Sequence, residues 1–176
     1  MSIPVQSVDG RKLIELVVYL TNSLKEPTYH SVSKLLYFAD KMHLSKYGRL
    51  ISGDSYVAMS HGPVPSAVYD IMKVPQEGAV FMRPDIRDAV LAAIGVRNKH
   101  HLVALRNANA DFLSASEIEC LDEAVKLHGH KSFTQLTSET HDAAWSSADE
   151  NETIALTEIV NTLPNAAEVT AHLNAC

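Results

Sequence analysis

Nine histidines among 176 residues are the first side chains here that could do chemistry, since an imidazole can hold a metal ion or move a proton near neutral pH. His128-Gly129-His130 and the pair His100-His101 are their densest groupings. A metal site needs ligands held on one face, as HxxxH or HExxH on a helix or paired CxxC would hold them. None of these spacings occurs, and a helix end interrupted by Gly129 does not by itself aim two rings at one ion. Nucleophilic catalysis needs an activated Ser, Cys or Thr beside a base. No GxSxG elbow or recognisable Cys/His signature is present, although a triad assembled only in space leaves no mark in residue order. Gly48, Gly53 and Gly62 are too dispersed for a P-loop or a dinucleotide turn. The residues therefore predict a protein that is not an enzyme, with no catalytic residue, no cofactor and no metal.

Cys120 and Cys176 are the only cysteines, too few for a disulfide framework, and Cys120 reads as a packed apolar residue. Apolar residues make up 46% and charged residues 20%, a globular balance in a chain long enough for one core. No apolar run approaches the roughly 18 residues of a membrane span. The start, MSIPVQSVDGRK, lacks the basic and apolar regions of a signal peptide, so the expectation is a cytoplasmic protein that does not meet a membrane. The net charge of −6 is unevenly spread. Residues 1–131 carry 15 basic and 14 acidic groups, whereas residues 132–176 carry no Lys or Arg and seven acids. Such a block repels phosphate and suits a basic partner, or else forms a solvated acidic face or frayed tail.

Apolar spacing predicts helices at 11–24 and 29–47, the second stopped by Gly48. A turn through Gly53-Asp54 leads to a short strand at 56–59. His61-Gly62-Pro63-Val64-Pro65 is not expected to continue as a regular strand, because its prolines remove donors and fix φ. Pro65-Ser66 opens a helix to about residue 72. A loop from 75 to 84 carries a short strand at 79–82, and a helix at 85–94 follows. A strand at 101–105 could pair with 56–59. Ser114 and Glu117 form a capping box for a helix that Gly129 stops after His128. Helices at 132–144 and 153–163 complete the pass. The fold class is α+β and mainly α-helical, a single globular domain of about six helices with a small antiparallel sheet or hairpin. Residues 1–150 are expected to form the domain, with 151–176 an acidic C-terminal helix and tail packed on it or extending from it.

The paired helices and the hairpin could imitate a winged helix, with Lys34, Lys41, Lys46 and Arg49 as a basic stripe. Asp40 interrupts that stripe, and Leu36, Tyr37 and Phe38 read as core, not as base readers. DNA is thus an unfavoured partner for the chain alone. The stripe, the GPVP corner and the acidic terminus remain as surfaces for a partner, and a homo-oligomer is left open.

Leu36-Tyr37-x-Ala39-Asp40, Gly48, Gly53-Asp54, Ala58 and His61-Gly62-Pro63-Val64-Pro65 together resemble the SocA-like antitoxin family, or Panacea domain. The likeness runs from about Leu13 to Leu136 and continues faintly through Thr140-His141 and Trp145. It implies an antitoxin of a type II toxin-antitoxin system that neutralises a cognate protein toxin by direct contact, with a link to phage defence. In the SocA branch it also implies delivery of the toxin to the ClpXP protease. The family's toxins include alarmone-synthetase-like translation blockers and a replication inhibitor. Some relatives add a helix-turn-helix domain, for which these residues leave no room. Turn glycines, prolines and packing residues in the motif agree with a rigid binding module. Tyr47, Arg49, Asp54, His61 and Tyr69, grouped around the turn and corner, are the expected toxin-facing residues. A winged-helix-like regulator is the alternative, and a metal-dependent hydrolase a more distant one.

Overall fold

A computed structural model describes residues 8–78 and 82–175. Helix α1 (Gly10–Ser23) starts where the Asp9 carboxylate accepts the Arg11 amide, and it buries Leu13, Ile14, Leu16, Val17, Val18 and Leu20. Helix α2 (Tyr29–Tyr47) opens on a reciprocal capping box between Thr28 and Ser31. It ends at Gly48 with φ +72°, the left-handed stop that only glycine takes without a Cβ penalty. Its apolar residues point several ways: Val32, Leu35, Leu36 and Ala39 enter a larger core with α1, while Tyr37 and Leu44 enter a smaller one. A helix whose apolar residues enter two cores lies between them, at the centre of the fold.

After α2 the chain turns under the control of one carboxylate. Asp40 is 0% exposed and accepts the Ile51 amide at 2.6 Å, the Ser52 amide at 3.0 Å, the Ser52 hydroxyl at 2.5 Å and the Tyr56 hydroxyl at 2.7 Å. Burial pushes its carboxyl upward in pKa, against the opposing pull of those four donors. Strand β1 (Tyr56–Met59) then pairs antiparallel with β2 (Gly62–Pro65), Ala58 opposite Pro63 and Tyr56 opposite Pro65. The expectation that the GPVP corner could not be a strand is corrected here. Ala58 directs its N–H to Glu152 O and accepts from the Asn151 amide, so its pair with Pro63 is one that exchanges no bonds across the hairpin. The prolines therefore stand at alternate positions where β1 asks for no amide.

Helix α3 (Ser66–Glu77) runs past the expected residue 72 and includes Pro75. Helix α4 (Pro84–Ala93) follows, and its end passes straight into β3 (Ile94–Arg97), which pairs with β4 (His101–Ala104). Pairing of the 101–105 segment with 56–59 is thus corrected: β4's partners are the strand just before it and the Pro27–Tyr29 backbone on its other edge. The local hairpin closes a far shorter loop. Residues 79–81 of the expected strand at 79–82 lie outside the described residues.

Helix α5 (Ala115–His128) carries the Ser114/Glu117 capping box read from the sequence. The expected helix at 132–144 is two, α6 (Phe133–Thr140) and α7 (Ala143–Ser146). His141 breaks the run at ψ 56°, and the Asp142 side chain caps α7. The 153–163 helix shortens to α8 (Leu156–Asn161), because Asn151 and Ile154 donate to β1 and Thr153 bridges Val57. Helix α9 (Ala166–Ala175) was not expected. In all, nine helices and two small antiparallel sheets appear among the described residues, against about six helices and one sheet expected. The acidic segment is not a frayed tail: Ile154, Ile159, Val160, Leu163 and Val169 join Tyr37, Leu44, Leu50 and Tyr56 in the smaller core.

Asp40→Ala strands two backbone amides and two hydroxyls in a dry interior. Urea unfolding of that variant is expected to show a loss of roughly 3 kcal/mol or more, whereas Ser52→Ala, which removes one of the four donors, costs about 1 kcal/mol.

Candidate functional site

The five residues expected to face a partner do not form one group. Tyr47 and Arg49 lie at the C-terminal end of α2, where Tyr47 donates to Glu119 Oε2 at 3.1 Å and Arg49 to Glu117 Oε1 at 2.6 Å. Glu117 is buried and also accepts from Lys12 at 2.6 Å and from the Ser114 amide at 2.9 Å. Burial pushes its carboxyl up, but these donors together hold it below the ordinary glutamate value. Tyr47 and Arg49 thus fasten α5 to α2 through their polar ends.

Asp54 is 6% exposed. It accepts the Ser55, Ala67 and Val68 amides at 2.8, 3.1 and 2.9 Å. It caps α3 from a distance, because Pro65 at the N-cap has no side-chain acceptor, and it presents no carboxylate to a surface.

His61 and Tyr69 lie toward the other end of α2, whose 19 residues span about 28 Å at the helical rise. Tyr69 meets Tyr29 edge-on with centroids 6.1 Å apart, and Lys73 Nζ sits 4.8 Å from the Tyr69 ring centroid. Next to Tyr29, His30 stacks on Phe133 at 4.0 Å, and Phe133 in turn meets His61 edge-on at 5.2 Å. Phe133 is 52% exposed and His61 is exposed. An aromatic and imidazole rim therefore opens to solvent beside the GPVP hairpin.

Behind that rim lies Lys34, 1% exposed. Its ammonium donates to Pro63 O at 2.8 Å, which is the outward-turned carbonyl of the non-bonded pair in the hairpin. A Cβ on Gly62 would come within 2.7 Å of Thr140 Oγ1 and 3.1 Å of Lys34 Nζ, and Gly62 has φ +101°, so only glycine lets the strand approach this closely. Burial lowers the Lys34 pKa to about 7. His30, with Nε2 3.0 Å from Thr137 Oγ1, is lowered to about 4 by burial and then by Lys34 and His61. His141 is lowered by the same causes in the same order, and its Nε2 is buried without a hydrogen-bond partner.

Of the basic stripe read along α2, Lys34 is internal, Lys41 bonds Asp142 at 2.8 Å, Lys46 bonds Glu119 and Glu123 at 3.0 and 2.8 Å, and Arg49 bonds Glu117. Those cations are engaged within the fold and are poorly placed to neutralise phosphates. Among the described residues, no three His, Cys, Asp or Glu side chains stand together as a metal-binding group, and no helix is long and apolar enough to cross a membrane.

Most of α2, the hairpin and α5–α7, which build both ends of this surface, lie within a segment matched by a family model. The match is to the antitoxin SocA-like, Panacea domain and covers residues 32–146. The chain belongs to the SocA-like Panacea family. No curated protein and no solved structure matches the chain. The Panacea segment holds His61, Phe133, Lys34 and His141, whereas His30 lies two residues before it and the smaller core is completed by residues 154–169 after it. Sequence reasoning placed Lys34 on the surface and overlooked Phe133 and His30. The one signal at Phe133, an apolar residue at the first helical position after a serine cap, does not by itself mark exposure, since Tyr29 holds the same position after Thr28 and packs against the larger core.

His30 supplies a test through pH. Its pKa falls from the ordinary 6.5 in the unfolded chain to about 4 in the fold, so between those values the unfolded state binds more protons and stability drops as pH is lowered. Acidification from about pH 7 to about pH 5 is expected to cost the wild type more stability than His30→Phe, which has no proton to take up. Equal slopes in denaturation midpoint against pH would remove His30 from this account.

Proposed function

We propose that this Panacea protein is an antitoxin that neutralises a cognate protein toxin by direct contact, and that the contact face is the hairpin end of α2. The family match over residues 32–146 carries the first part of this reading. The second rests on exposure: His61 and Phe133 turn to solvent, and Tyr69 lies alongside through Tyr29. Tyr47 and Arg49 are tied to α5, and Asp54 is internal. A neutralising complex commonly buries about 1,200–2,000 Å² in total, with aromatic anchors supplying much of the affinity. Phe133 is an exposed anchor of this kind with no polar tie to the fold, whereas Tyr47, 44% exposed, has its hydroxyl held by Glu119. Delivery of the toxin to ClpXP is the finer alternative within the same reading.

Co-expression with the product of an adjacent gene that is toxic alone tests the reading. Growth rescue together with co-purification is the expected result, rescue without a complex would favour proteolytic delivery, and no rescue would overturn the pairing. Phe133→Ala is expected to weaken the complex by about tenfold or more, with little change in urea midpoint. Tyr47→Phe, which loses only its bond to Glu119, is expected to keep affinity within about twofold.

A further inference from the structure

Groups that carry or could carry positive charge gather under the hairpin with no carboxylate bonded to them. Lys34 and His30 come from successive turns of α2, His61 from the hairpin and His141 from the break between α6 and α7. Among the described residues no carboxylate bonds any of the four. The acid adjoining His141 is Asp142, whose oxygens already accept from the Tyr37 hydroxyl, Lys41 and the Trp145 amide. An ammonium out of water with one carbonyl partner is held at a cost, and an anion brought near it through low-dielectric surroundings is strongly attracted. His141 Nε2, buried and unbonded, is a polar atom in the same place that has no hydrogen-bond partner.

We infer that the rim of His30, His61 and Phe133, backed by the buried Lys34 ammonium, receives a carboxylate from an acidic side chain of the partner protein. The exposed His61 imidazole supplies an N–H donor, the positive edge of the Phe133 ring favours an anion beside it, and Lys34 supplies field from behind Gly62 and Pro63. A basic segment is disfavoured there by the same groups. This site rests on the antitoxin reading only for the source of the carboxylate.

Acetate serves as the probe, with the full chain and with chloride at matched ionic strength as the control. Imidazole resonances of His30 and His61 are followed by NMR. Saturable shifts with acetate and not with chloride are expected, together with a dissociation constant raised about tenfold or more by Lys34→Met, the loss expected when a positive charge is removed from poorly screened surroundings near the anion. Equal responses to the two salts, or a Lys34→Met response matching wild type, would overturn the inference. Should Lys34→Met fail to fold, His61→Gln, which alters an exposed ring, is read instead and must weaken acetate about threefold or more. Neither arm contains a toxin, so a failed growth rescue and a failed acetate titration are separate results.

Discussion

Asp40 is the constraint from which the arrangement follows. A carboxyl group with no exposure is costly to bury unless donors meet it. The four donors that meet it come from residues 51, 52 and 56, which ties the turn and the first residue of β1 to the middle of α2. With Tyr56 fixed, the register of β1 with β2 places Pro63 opposite Ala58. The Pro63 carbonyl then faces α2, where Lys34 takes it. The position of an exposed histidine at residue 61 is thus set by a buried acid twenty-one residues earlier in the chain.

The two ends of α2 use charge in opposite ways. Around Tyr47 every cation has a carboxylate, and the network of Lys12, Arg49, Lys46 and Tyr47 with Glu117, Glu119 and Glu123 locks α5 in place. Around His61 the potentially cationic groups have carbonyls, hydroxyls and aromatic rings for company. Burial there lowers their affinity for protons without supplying a counter-charge. One end has its electrostatics satisfied internally. The other leaves them to be completed by whatever approaches.

Much of this was legible in the sequence where local chemistry decides. The Gly48 stop and the Ser114/Glu117 box read correctly because a cap depends on residues within one turn. The α+β class followed from periodicity. What failed depended on partners far along the chain. The prolines of GPVP looked hostile to a strand until residues 151–154 supplied the outer pairing that makes their missing amides harmless. Lys34 looked like one of four surface cations, since spacing along a helix says nothing of a hairpin folding back across it. Asp54 looked like a turn residue open to a partner, but the bare start of α3 claimed it. Phe133 gave only a faint signal, because exposure of an aromatic ring is a property of the assembled surface.

The pairing of residues 151–154 with β1 has a further meaning for how this molecule behaves among its own copies. A two-stranded hairpin offers a row of unpaired amides and carbonyls on its outer side, and such rows adhere to one another in crowded solution. Here the outer side of β1 is covered by the chain's own backbone, and the α8 and α9 side chains that follow share a core with Tyr56 and Ala58. The segment that lies beyond the family match therefore leaves the outer side of β1 with no free edge for another strand to join.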